Sequence, residues 1–398
     1  MRAQEFLIES AGKTLGGFSV KPLHISGEVD EAIGLNAPHR KLDRDYMQDY
    51  AGRIKSGTKT KQEKFSGIIH GSNIKAIAKS DDVDEAGNPT DIWDLDDLAR
   101  QIMERPKSIL DSPNAKMVKS ATEGEVVLDL TLPALAGIVI DEDTGEFVEI
   151  QTCPGAGACQ LFCYARKGGY VMFPASSMSA AKSLNFLVNH PDQWFDILRA
   201  NINKIKGSLG AKGIKLVVRW HDAGDFFSKE YLDMALQVAR DYPDVDFYAY
   251  TKMAMAALSN LPANFEIQHS GGAKRKEVIP IQQHIAGGGT VKQAFEVPKD
   301  LFRDLIITDA KGKATKDAAG RTQFKSPEAW EEFKQRLIKN FSSESSQPIK
   351  PETIISYDQM LTIPVGPVRK WNVVVFASGH GDRAANRRDV MNSFLMFH

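Results

Sequence analysis

Cysteine is scarce in this chain: there are three in 398 residues, and the number is odd. That argues against a disulfide framework, and with 42% hydrophobic residues the chain can build a core without one. A surplus of either charge is also missing. The 50 basic side chains stand against 51 acidic ones, a net charge of −1. A generally basic nucleic-acid-binding surface is thereby excluded, and any such contact must come from local patches. Long apolar runs are absent too. No segment reaches the roughly 18 continuous apolar residues of a membrane helix, and the opening "MRAQEFLIESAGK" has no sustained apolar stretch of the kind a signal peptide needs. The expectation is a cytoplasmic protein with no membrane partner and an oligomeric state the sequence leaves open.

Three stretches are locally basic: "HRKLDRDYMQDYAGRIKSGTKTKQEK" (39–64), "GAKRK" (272–276) and "RAANRRD" (383–389). Each reads either as a solvated face or as a patch for DNA, RNA or a nucleotide. Residues 1–110 form an irregular N-terminal accessory region. It holds a loop-like "SDDVDEAGNPTD" (80–91) and one expected helix over 91–105, with Asp91 as cap and Ile92, Leu95, Leu98 and Ile102 as its apolar stripe. The remainder, 111–398, is expected to be one α/β domain with a cysteine loop at 153–163 and a C-terminal strand segment at 371–398.

Within that domain, "EGEVVLDLTLPALAGIVID" reads as one or two strands. Residues 177–205 read as two helices meeting near His190 and Pro191. Strand-like runs at 214–222, 245–252 and 264–272 then alternate with helical ones, one of them capped by Ser228. This alternation implies βαβ units and a parallel sheet. Each of the three strands ends in chemistry: His221, Asp222, Gly224 and Asp225 after the first, Thr251 and Lys252 after the second, Gln268, His269, Ser270, Gly271 and Gly272 at the third. Active sites of α/β barrels and doubly wound sheets lie at the carboxyl ends of strands. His221, Asp222, Asp225, Lys252 and His269 are therefore the candidate catalytic residues. Each has a plainer reading as a cap, a buried structural group or a solvated strand end. Tyr248 and Tyr250 share one strand face, suited to core packing or to stacking a base. From 275 to 365 the signal weakens, with an exposed loop or hairpin at 309–326 and a linker at 340–352. His380, Asp382, Arg387 and Arg388 form a second polar group near the C-terminus.

All the cysteine sits in "CPGAGACQLFCYA". Cys153, Cys159 and Cys163 are spaced C-x5-C-x3-C, in a loop whose Gly155 and Gly157 permit unusual dihedrals. Thiolates this close suit a soft metal, either an iron–sulfur cluster or zinc. Three ligands leave a cluster with one open iron. Structural zinc takes four, so a histidine such as His221 or His269 would have to complete the set.

The aromatic directly before the last cysteine, in "FCYA", is similar to the cysteine loop of radical S-adenosylmethionine (SAM) enzymes. The segment "HDAGDFFSKEYLDMALQVARDYPDVDFYAYTK" resembles the part of those enzymes where a strand ends in glycine and an acid. Gly224 and Asp225 would match that glycine and acid, which in the family help hold the amino group of SAM. The family's usual cysteine gaps are three and two residues, shorter than here, and glutamate is commoner than aspartate. "NAKMVKS", the "CYA" loop, "GDFFS" and "FYAYTK" more closely resemble a family of phage-encoded proteins called gene product eighty-eight, over roughly 110–275.

These resemblances imply a parallel α/β barrel or partial barrel, radical-SAM/TIM-like. Cys153, Cys159 and Cys163 would hold a [4Fe-4S] cluster. Gly224, Asp225, Gly271, Gly272 and Arg166 would approach SAM or the cluster. The implied function is a radical-SAM-like iron–sulfur enzyme that modifies a nucleic acid or nucleotide, in the host cytoplasm if phage-encoded. Two alternatives stay open: a zinc-bearing, transglycosylase-like barrel that exchanges bases on DNA or RNA, and a non-catalytic nucleic-acid-binding protein with a structural metal.

Overall fold

A computed structural model describes residues 35–37, 39–42, 44–48, 85, 94–111, 117, 118, 121–161, 163, 165, 174–310, 314–317, 321–376 and 382–396. The strands are β1 (His39–Leu42), β2 (Glu125–Asp129), β3 (Gly137–Ile140), β4 (Phe147–Ile150), β5 (Lys215–Trp220), β6 (Asp246–Thr251), β7 (Phe265–Ser270), β8 (Gln293–Val297), β9 (Ile354–Ser356), β10 (Trp371–Val375) and β11 (Val390–Met396). The helices used below are α1 (Leu95–Met103), α2 (Pro174–Asn189), α3 (Pro191–Gly210), α4 (Lys229–Asp241), α5 (Ala254–Ala257), α6 (Arg275–Ala286), α7 (Pro327–Phe341), α8 (Tyr357–Thr362) and α9 (Asp382–Asn386). The chain divides into two compact units. One comprises Met1–Leu110, Leu130–Lys204 and His221–Val238; the other comprises Asp111–Asp129, Ile205–Trp220 and Ala239–His398.

The first unit holds a three-stranded antiparallel sheet, ordered β1-β4-β3. Leu95, Leu98 and Ile102 of α1 pack on Ile138, Ile140 and Phe147, so that helix is fixed by its apolar stripe. Its cap is Asp94 rather than Asp91: the Asp94 side chain accepts the Asp97 N–H at 2.7 Å. Asp91 and Ile92 lie outside the described residues. The expected pair of helices over 177–205 is α2 and α3, broken at His190 because Pro191 opens the second helix. Ser228 caps α4 as expected, accepting the Tyr231 N–H at 3.3 Å.

The second unit is built on an eight-stranded sheet, ordered β2-β5-β6-β7-β8-β11-β10-β9. Every pairing in it is parallel. The parallel α/β expectation therefore holds. The closed-barrel form of it does not: β2 bonds only β5 and β9 bonds only β10, so among the described strands the sheet is open.

Register divides this sheet into two dissimilar faces. One face carries Val218, Phe247 and Phe265 in one row and Phe295, Phe394 and Val374 in another, and this second row enters a core with Phe333 and Leu337 of α7. A single polar row crosses it: Thr251, His269, Gln293, Asn392 and Asn372. The opposite face carries Asp129, Arg219, Tyr248 and Glu266 in one row, Tyr250 beside Gln268 in the next, then Ser270, Ala294 and Ser393. Asp129, Arg219, Glu266, Gln268 and Ser393 are all buried. Sheets covered by helices on both sides run apolar on both faces; here the second face is apolar where Val127 and Val217 pack with Ala385, and Val373 and Val375 with Ala384 of α9, and polar between them.

Several weaker expectations are corrected. Residues 340–352 are packed structure rather than a linker: Ser345 is buried, and the Ser346 hydroxyl donates to the Val291 carbonyl at 2.9 Å. The hairpin alternative for 309–326 holds instead: its described residues carry isolated antiparallel bridges, such as Lys316 to Thr322. Arg387 is no surface cation. It is buried, bonds both Asp389 oxygens at 2.9 and 2.7 Å, and reaches the Ile363 carbonyl at 2.8 Å. His380 lies outside the described residues, as does most of 39–64.

Candidate functional site

In the first unit the cysteine loop hangs from the strand β4. Thr152 anchors it by donating its hydroxyl to the Pro133 carbonyl at 2.5 Å. Cys153 and Leu135 then bond each other in both directions. The Cys153 N–H donates to the Leu135 carbonyl at 3.2 Å, and the Leu135 N–H donates to Sγ of Cys153 at 3.4 Å. Leu135 adopts φ +68°, a left-handed conformation that a branched residue takes only when its surroundings impose it. A turn closes from Ala156 N–H to the Cys153 carbonyl at 3.0 Å, and a short 3-10 helix, Ala158–Leu161, carries Cys159. All three cysteines are part-buried and none is in a disulfide.

The turn after β5 belongs to the same unit. His221 has φ +64° and Gly224 φ +89°. A Cβ on Gly224 would lie 2.7 Å from that of Leu132, so only glycine lets the chain pass there. Two backbone bonds hold the turn: Leu132 N–H to the Ala223 carbonyl at 2.9 Å, and Asp222 N–H to the Leu130 carbonyl at 3.0 Å. Asp225 is thereby buried, its Oδ1 accepting the Phe226 N–H at 2.7 Å. The Cys153 thiol is pushed well above its ordinary pKa, first by burial, then by the negative charges of Asp225, Cys163 and Cys159. Those four groups form one electrostatic neighbourhood. As they stand, no three His, Cys, Asp or Glu side chains among the described residues are drawn together closely enough to hold a metal ion. Three thiols are a donor type that soft metals take.

His221 is buried, with Nε2 2.8 Å from the Tyr231 hydroxyl and its ring edge-on to Phe226 at 4.7 Å. Tyr231 carried no signal in the sequence beyond its place on an amphipathic helix. Asp222 is buried as well. Arg166 lies outside the described residues.

In the second unit the ends of β6 and β7 meet. Lys252 donates to the Ser270 hydroxyl at 3.0 Å and to the Gly271 carbonyl, and stands 4.0 Å from Glu296. Burial raises the Glu296 pKa against the pull of Lys252. Gly271 passes close to β8, where a Cβ would lie 3.4 Å from the Glu296 nitrogen, and Gly272 has φ +74°. His269 points to the other face of the sheet than Ser270, because adjacent strand residues face opposite ways, but it stays close to Lys252, whose backbone it bonds and whose charge it feels. Its ring is buried on the other side, and burial, then the charge of Lys252, lowers its pKa to about 4. It is a neutral imidazole at neutral pH.

Sequence reasoning missed the buried polar face of this sheet. A signal was available: Lys215, Val217 and Arg219, then Asp246, Tyr248 and Tyr250, then Glu266, Gln268 and Ser270 repeat a mostly polar pattern with period two along three neighbouring strands. Of the two tyrosines, Tyr248 is in the core beside Val127 and Val217, while Tyr250 is only partly buried.

Fold and site together define a class: an open parallel α/β protein with a three-cysteine loop and a polar sheet face. Comparison makes the family specific. The family model described as Gene product 88 matches residues 108–336, more than half of the chain, and the chain belongs to that family. It is similar to the Gene 88 protein of Mycobacterium phage D29, with 28% identity over an alignment of 179 residues that takes in 41% of this chain and 75% of the relative. No solved structure matches. No helix among the described residues is long and apolar enough to cross a membrane.

Proposed function

We propose that this chain is a phage-encoded, radical-SAM-like iron–sulfur enzyme acting on a nucleic acid or nucleotide. One observation carries the reading: the turn after β5 brings Asp225, distant in sequence, into the electrostatic neighbourhood of Cys153, Cys159 and Cys163 within one unit. Groups that repel one another when ionised add little to stability, and a bound cation would offset their charge. Gly155 and Gly157 give the loop the freedom to draw its thiols inward on binding. When bound, a cluster with one open iron supplies one-electron chemistry toward SAM. The chain's own part is to ligate through the three cysteines and to hold an ammonium group against Asp225, presented by the Gly224 turn. The strained backbones of Leu135 and His221 flank that turn and the first ligand, and strain of this kind collects at functional sites. The open sheet is read as a partial barrel whose polar face looks inward. The substrate class rests on the phage origin of the relative.

Asp225 as a fourth anionic donor favours a second reading, a zinc site of three sulfurs and one oxygen. One experiment separates the two. Protein is purified without oxygen beside a Cys153→Ala/Cys159→Ala/Cys163→Ala variant, and metal content and visible absorption are measured. The expected result is a brown protein with about four irons, and a colourless variant. A colourless protein with one zinc would promote the zinc-bearing base-exchange enzyme. Absence of metal from both would overturn the metal site altogether.

A further inference from the structure

The second unit holds a cavity of about 410 Å³, within the range of small-ligand sites. Its place follows from the sheet. Ser356 is the last residue of β9, Phe376 directly follows the parallel neighbour β10, and both line the cavity. The cavity therefore lies at the carboxyl ends of two adjacent strands, where open α/β sheets bind ligands. The hairpin that Ile306 and Phe324 close supplies one wall, and Trp330 of α7 another.

Two features of the described lining set its chemistry. The first is aromatic. Phe324 and Trp330 meet at 5.3 Å between centroids and 71° between planes, Trp330 and Phe376 at 5.6 Å and 54°, Phe324 and Phe376 at 5.8 Å and 76°. Rings so steeply inclined form a corner, not a stack. Phe324 and Trp330 pack on the core yet stay only partly buried. Trp330 already partners one cation: the Lys334 ammonium, which does not line the cavity, stands 6.0 Å from its centroid. The second feature is charge. Arg321 bonds Asp317 through Nε at 2.5 Å and Asp358 through Nη1 at 3.2 Å. No other described lining residue is charged, so two acids against one base leave one negative charge in excess. An anion could take Arg321 only by displacing both carboxylates. A neutral ring would leave the excess charge unanswered. A small organic cation answers both features, since ammonium groups are drawn to aromatic faces and to carboxylates alike.

We infer that this cavity binds a small organic cation of the methylated-ammonium class, with Phe324, Trp330 and Phe376 against its methyl groups and Asp317 and Asp358 balancing its charge. The inference goes beyond the proposed function and does not need the metal.

The test uses the full chain with choline as the probe, beside its neutral isostere, in which carbon replaces the ammonium nitrogen, and inorganic phosphate. Binding is followed by calorimetry for the native protein, Asp358→Asn and Trp330→Leu, with thermal unfolding of each. Choline should bind, and the isostere should bind about ten-fold or more weakly than choline. Asp358→Asn should weaken choline by about three-fold or more. Its Tm should barely move, because Asp358 is 46% exposed and its ion pair with Arg321 adds little to stability. Trp330→Leu should abolish binding; if that variant unfolds, Asp358→Asn decides alone. No choline binding, equal binding of the isostere, or unchanged affinity in Asp358→Asn would each overturn the inference. Phosphate binding in place of choline would overturn it as well and make Arg321 an anion receptor. None of these outcomes depends on iron content, so the cluster reading and the cation site can fail separately.

Discussion

The two faces of the eight-stranded sheet are equally shielded in their middle rows yet opposite in chemistry. Ser393 and Phe394 are neighbours on β11, both with 0% exposure. Phe394 packs on Phe295 and Phe341 at centroid distances of 5.5 and 5.4 Å, while the Ser393 hydroxyl has no partner among the described residues. Phe394 is buried where burial stabilises the fold, and Ser393 is buried at a cost. Burial alone therefore says little about what holds this unit together.

The largest expected effect breaks the comparison on its apolar side. Phe394→Ala should destabilise the chain by about 3–5 kcal/mol, read from chemical denaturation. An effect below about 1 kcal/mol would mean that this face is not the scaffold.

A comparable loss is expected on the polar side wherever its charges are already paired within the chain. Lys292 is buried and donates to Glu266 at 2.9 Å and to the carbonyls of Ala385 and Arg387, both also at 2.9 Å. It thus ties α9 and the chain just beyond it to the sheet. Among the described residues Lys292→Met leaves Glu266 with Arg369 alone as an ion-pair partner, at 3.1 Å, and should cost about 3 kcal/mol or somewhat more. Burial lowers the Lys292 pKa from 10.5 to about 8 despite the pull of Glu266. Between about 8 and 10.5 the unfolded chain then binds the extra proton, so stability contributed through this group rises with pH across that window. The rise should vanish in Lys292→Met; a rise of the same size in the variant would assign it to another group.

His269 sharpens the comparison from the other side, being a polar group on the apolar face. Its pKa is lowered from 6.5 to about 4, so the folded chain resists a proton that the unfolded chain accepts. Stability should fall as pH drops from about 6.5 toward 4, by up to about 3 kcal/mol, and His269→Gln should flatten that slope. The profile, measured by denaturation at a series of pH values, would count against this burial if native and variant curves ran parallel.

How much of this was legible in the sequence follows from the same two faces. Strands whose apolar residues enter a core announce themselves: "LVVRW", "DFYAYT" and "FEIQHS" were recognisable as strands, and their alternation with helices fixed a parallel sheet. The glycine at 224 was legible as a turn, since only glycine tolerates that approach to Leu132. The C-terminal half of the sheet was legible in part: β10 and β11 lie in the strand segment expected at 371–398. Strands β8 and β9 were not, since they lie among irregular segments and β9 spans only three residues, too short for any period. Arg387 was misread because a basic run looks solvated until its partners, which come from the chain around α8 and from Asp389, are in place. His269 was grouped with Lys252 by proximity in strand order, and it does stay close to Lys252, but the pleat sends it to the other face than Ser270.

The smallest effect is the most discriminating. Ser393→Ala removes one hydroxyl from the polar face and leaves β11 otherwise unchanged. If that hydroxyl were part of the scaffold, its loss would cost about 1 kcal/mol, the usual worth of a buried hydrogen bond. If it is unmet as it stands, removing it relieves a desolvation cost and opens a void of only one oxygen. The two terms nearly cancel, and stability should change by no more than about 0.5 kcal/mol in either direction. Phe394→Ala, one residue along, should differ by roughly an order of magnitude. Denaturant midpoints for the two variants, measured side by side, therefore read the two faces through a single strand. Equal losses would mean that the sheet has two scaffold faces, and the division drawn here would fail.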